Sequence, residues 1–174
     1  MTMRWNPGCA LWMTFGLALA LAAAAPTHAA DAMVAVNPQT LKFIAIPSMP
    51  SCATGGIVRG NPRWGAASVL LKLSSGCQVP WHWHTANEDM LVVSGQGMIE
   101  MQDGQPLKFA PGAYASLPSH HVHRASCSRT CLLFSIADAA FDINYVDDSG
   151  RAISAEQALQ PPARAKSKPK SKKK

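Results

Sequence analysis

His82 and His84, with Glu88 four residues further on, bring three metal-binding side chains into seven residues of a 174-residue chain. Side chains alternate along an extended segment, so the two imidazoles share one side while Trp81 and Trp83 take the other, as packing or rim residues. Glu88 has the same parity and opens the next apolar run. Its carboxylate can complete a two-histidine, one-carboxylate face that leaves positions open on a metal. A fourth ligand must come from elsewhere, and the stretch His120-His121-Val122-His123 offers His123. Glu88 is a candidate for a ligand or a movable base. His121 shares the parity of His123 and is a candidate proton shuttle or substrate contact. Three imidazoles and a carboxylate suit one divalent transition metal ion: iron, manganese, nickel, zinc or copper.

These residues must be held by short strands. Between Val34 and Tyr145, apolar runs alternate with Gly, Pro, Asn and Ser clusters, the pattern of a many-stranded sandwich or barrel. Strands are expected near Leu41 to Ile46, Ala66 to Leu73, Trp81 to His84, Asp89 to Ser94, Gly97 to Met101, Gln105 to Phe109, Tyr114 to Leu117, His121 to Ala125, Cys131 to Ala137 and Asp142 to Val146. Gln102-Asp103-Gly104 reads as a hairpin turn joining antiparallel neighbours, because Asp-Gly accepts the positive φ of tight turns. Ser154 to Gln157 reads as a capping box opening a short helix that ends near Leu159, before two prolines.

The residues from Gly76 to Gly95 follow the spacing Gly, five residues, His-x-His, three residues, Glu, six residues, Gly. This resembles the first motif of the cupin family without exception. Gly112, Pro118 and His123 resemble its second motif, with two departures: His120 stands where the family has Gly, and Cys127 where it has Asn. The resemblance implies an all-β fold, a double-stranded β-helix or jelly-roll barrel, with a metal held inside by His82, His84, Glu88 and His123. It also implies a strained φ or an altered turn at His120. A homodimer is expected by resemblance alone. Inward-facing candidates are mostly apolar, including Met90, Val92 and Phe134, with Tyr114 and His121 as polar contacts. Arg59, Arg63 and Arg124 are too few cations to suit a highly charged sugar phosphate.

The two ends read differently from the barrel. Residues 1–29 resemble an export leader: Arg4 precedes the apolar run Leu11 to Ala25, and cleavage is expected near Ala29. That run is shorter than the ~20 residues a membrane-spanning helix needs. The barrel domain is placed at 34–148, the short helix region at 149–159 and a disordered basic tail at 160–174. The formal charge of +6 comes from the ends: Arg4 and seven tail cations leave eight against ten acids between them. The tail suits contact with an anionic membrane surface or plain solubility; nucleic acid is not an expected partner.

Export to an oxidising compartment, periplasmic or secreted, turns Cys52, Cys77, Cys127 and Cys131 into candidates for two disulfides. Three pairings are open. The turn-sized Ser-Arg-Thr between Cys127 and Cys131 favours that pair, leaving Cys52 for Cys77; free thiols or thiolate ligands are the alternative. Neither a Gly-x-Ser-x-Gly elbow nor a phosphate-cradling glycine loop is present. Two functions follow from the constellation. One is a metal-dependent enzyme, dioxygenase-like or isomerase-like, with a small-molecule substrate. The other is a non-catalytic module that binds or senses a small ligand or metal in the envelope.

Overall fold

Alternating aliphatic and polar residues commit about half of the described residues, 33–160 of a computed structural model, to strands. The expected leader (1–29) and all but the first residue of the expected basic tail (160–174) lie outside the described residues. The strands are β1 (Ile44–Ala45), β2 (Ala53–Gly60), β3 (Ala67–Leu73), β4 (Gln78–Trp83), β5 (Glu88–Met101), β6 (Leu107–Phe109), β7 (Tyr114–Leu117), β8 (His123–Ala137) and β9 (Asn144–Tyr145). They are followed by the short helix α1 (Ala155–Ala158).

Every pairing is antiparallel, in the order β1-β2-β3-β8-β4-β9, with β5 joining β6, β7 and β8. β8 organises the sheet. Its first residues pair with β4, its last with β3, and both parts with β5. A strand that changes partners along its length lets one sheet curl and bury its inner face, as in a jelly-roll barrel. Leu71, Leu73, Val79, Met90, Val92, Ile99 and Leu133 fill that interior. Disulfides join Cys52 to Cys77 and Cys127 to Cys131, the pairing favoured by spacing.

Several boundaries differ from expectation for identifiable reasons. The runs expected at 89–94 and 97–101 are one strand, β5, whose register against β8 shifts between Val92 and Gly97. Bulges bend a strand without ending it. Gly95 sits there at φ 93°, where a β-carbon would lie 2.4 Å from the Thr130 carbonyl oxygen. The runs expected at 121–125 and 131–137 likewise form the single strand β8, through the Cys127–Cys131 segment. β2 was not expected at all. The hairpin turn at 102–104 does join antiparallel β5 and β6. Ser154 makes both halves of the capping box, and the helix closes at Leu159.

Candidate metal centre

The site is assembled by ladder register. His82 of β4 is the Cα partner of His123 at the start of β8, with Tyr145 of β9 on its other flank. His84 follows β4, and Glu88 opens β5 opposite Ala137. His82, His84, Glu88 and His123 are all buried. Trp81 and Trp83 point away, as alternation requires. Trp81 lies under the Arg124 guanidinium at 4.5 Å, and Trp83 stacks on His120 at 4.4 Å. His120 has φ 63°, the strained backbone expected where the second motif lacks its glycine.

Three backbone carbonyls set the imidazole tautomers. His82 Nδ1 contacts the Pro80 carbonyl at 2.7 Å, His123 Nδ1 the His121 carbonyl at 2.9 Å, and His84 Nδ1 the Asp142 carbonyl. A carbonyl only accepts, so each Nδ1 carries the proton and donates it, leaving Nε2 with a free lone pair. The ligand atoms of the three histidines lie within 4.8 Å of one another. Burial, reinforced by the neighbouring His123 and His84, holds His82 well below the ordinary imidazole range. Burial lowers His123 as well. Neutral imidazoles with outer nitrogens tied to carbonyls are the donor set a divalent transition metal takes.

Glu88 reaches the same place from the facing strand. Its Oε2 is 3.5 Å from His84 Nε2, and its Oε1 accepts a 2.6 Å hydrogen bond from the Ser135 hydroxyl. Phe141 packs on His84, ring centroids 5.2 Å apart. The space among these side chains is about 30 Å³, enough for an ion and roughly one water. Leu71 and Phe141 also line a much larger cleft at the barrel mouth, about 780 Å³, which Ser135 borders too.

The chain from residue 31 to residue 140 matches the ChrR cupin-like domain model, well over half its length. It belongs to the ChrR cupin-like family. No curated protein sequence matches it. Among solved structures, the polyketide cyclase RemF of Streptomyces resistomycificus is 18% identical with a TM-score of 0.56, over 67% of this chain and 87% of that one. An RmlC-like cupin from Ralstonia eutropha is 16% identical with a TM-score of 0.55, over 69% and 76%. KdgF from Halomonas sp. is 18% identical with a TM-score of 0.50, over 59% and 92%. At these identities the likeness is one of fold, the cupin jelly roll.

Within this cupin barrel two expected inward residues face outward. β5 turns Glu88, Met90 and Val92 inwards, so Leu91 faces out. Tyr114 and Phe134 are both Cα partners of Leu91 and share its side. Tyr114 is exposed and donates to Asp89 Oδ1 at 2.6 Å. His121 is half-buried, its Nε2 3.3 Å from Asp103; its carbonyl, not its imidazole, borders the centre by holding His123. Sequence reasoning missed Ser135, Phe141 and the Asp142 carbonyl. Ser135 left one signal, a polar residue in inward register between Leu133 and Ala137.

Proposed function

We propose that this cupin is an exported metal-dependent enzyme, dioxygenase-like or isomerase-like, acting on a small organic molecule at a centre of His82, His84, Glu88 and His123. The observation that carries the reading is the convergence of three buried imidazoles, each with its outer nitrogen tied to a backbone carbonyl. A metal held there would supply Lewis acidity and open positions for substrate oxygen. The protein's own contribution is positional. Ser135 pins one oxygen of Glu88 and leaves the other towards His84, so the carboxylate can serve as ligand or as proton acceptor. His121, its ring turned to Asp103, contributes its backbone carbonyl, which orients His123. Leu71, Met90 and Phe141 give this carboxylate an apolar surround.

Export rests on the leader before Ala29, which lacks a twin-arginine pair, so the chain would cross unfolded and load its metal outside the cytoplasm. Copper or zinc would then win on intrinsic affinity. The basic tail would hold the domain to an anionic surface. A non-catalytic binding module is the second reading, favoured by the narrowness of the space around the ligands.

Elemental analysis of mature protein from its native envelope, with oxygen uptake followed against small phenols and diketones, tests both. Stoichiometric redox metal with substrate-dependent uptake supports a dioxygenase. Zinc with no uptake moves the assignment to a non-redox enzyme or a binding module, and mainly iron overturns the loading argument.

A further inference from the structure

The cleft at the barrel mouth carries more information than its size. Ile44 of β1, Ile57 of β2, and Val69 and Leu71 of β3 present an apolar surface continuous with the wall of the metal centre. A volume of about 780 Å³ matches a small organic ligand. Its charged lining consists of two residues, Arg63 and Asp142. Asp142 is committed: its carboxylate accepts from Thr85 N at 2.8 Å, Thr85 Oγ1 at 2.5 Å and Asn144 Nδ2 at 2.9 Å.

Arg63 is not committed. Its backbone N–H closes a turn onto Asn61 Oδ1 at 3.0 Å, while its guanidinium makes no hydrogen bond or ion pair among the described residues. The turn is anchored where it matters. Phe141 N–H donates to the Pro62 carbonyl at 2.8 Å, tying the residue before Arg63 to the partition between cleft and metal centre. An uncommitted guanidinium whose backbone is anchored at the edge of an apolar cleft is a receptor for one planar anion, since its forked donors match a carboxylate.

We propose that the cleft binds a small apolar monocarboxylate. Its carboxylate lies on Arg63, its hydrocarbon or aromatic body lies along Ile57, Val69 and Leu71, and its far end lies beside Ser135. One cation and few polar partners argue against a phosphorylated sugar or a polyol, which would leave many polar groups unmatched in apolar surroundings. This substrate class rests on the reading of the centre as an enzyme site. The position of the anion is independent of that reading.

The test uses the full mature chain and two probes of one shape, 4-phenylbutyrate and 4-phenylbutyramide, in calorimetric titrations of zinc-loaded and chelated protein. The acid is expected to bind about tenfold tighter than the amide in both. Arg63→Gln, in an exposed turn, is expected to abolish that preference while metal content and melting temperature stay as in wild type. Equal binding of acid and amide, or no binding of either, overturns the proposal. So does an acid preference that survives Arg63→Gln or disappears on chelation, which would place the carboxylate on the metal. Protein that takes up no metal yet keeps an Arg63-dependent preference supports the cleft assignment and overturns the enzyme reading. Stoichiometric metal with no preference overturns the cleft assignment and leaves the metal centre standing.

Discussion

His82 and His123 are Cα partners across the β4–β8 ladder, and their ring centroids stand 4.2 Å apart. Register alone therefore brings together two imidazoles from motifs far apart in the chain, before any side-chain packing is considered. A slip of one residue would turn one ring out of the barrel.

Replacing His123 by Ala should remove most bound metal and, by emptying a fully buried position, lower stability, while the apolar core and both disulfides keep the barrel folded. Metal content by elemental analysis and far-ultraviolet circular dichroism read the two halves of this expectation. Wild-type occupancy in the variant would mean that His123 is not the fourth ligand.

Ser135 matters through Glu88. Ser135→Ala leaves a buried carboxylate oxygen without its 2.6 Å donor, a loss of about 1–3 kcal/mol. Urea unfolding of metal-free protein should show it as a lower midpoint at unchanged slope. An unmoved midpoint would mean that another donor replaces the hydroxyl.

Acid should destabilise the metal-free protein. His82 and His123 have folded pKa values below the ordinary 6.5, chiefly through burial, so between those values and 6.5 the unfolded chain binds more protons. Their contribution is intact above about pH 6.5 and is lost as pH falls from there towards the folded values. Melting temperatures across pH 5 to 8 should fall on the acid side, and replacing His82 by Gln should flatten that slope. A wild-type profile without an acid fall would contradict the burial argument.

The unreduced chain should weigh ~4 Da less than the reduced one, two hydrogens for each disulfide. The bridges should differ in worth. Cys52–Cys77 spans 25 residues against 4 for Cys127–Cys131, and in the loop-entropy account a longer closed loop stabilises more, about 3 kcal/mol for the first. Replacing Cys52 and Cys77 together should lower the denaturant midpoint more than replacing Cys127 and Cys131. The opposite ranking would mean that the short bridge acts by packing inside β8.

The ligand set was legible because its information is local. His82, His84 and Glu88 share one parity within seven residues, and alternation along a strand turns spacing into direction. β2 was not legible. Ala53-Thr-Gly-Gly-Ile-Val-Arg-Gly reads as loop by composition, yet it pairs with β3 along its length, and its glycines answer close packing: a β-carbon at Gly56 would lie 2.4 Å from Leu41. Tyr114 and Phe134 show the same limit. Their inward or outward sense depends on which residue of β5 they face, and register is a property of the pair.

By itself, then, the sequence determined the strand-rich fold and the four candidate ligands, which follow from spacing within one or two strands, and its resemblance to the cupin motifs marked His120 for a strained φ or an altered turn. Only the tertiary structure decided the rest. The carbonyl of Asp142 that sets the His84 tautomer, the Ser135 hydroxyl on Glu88 and the Phe141 ring on His84 come from 58, 47 and 57 residues along the chain from their partners. Contacts over such separations exist only after the sheet has curled, because the free energy that holds them comes from burying the whole inner face at once.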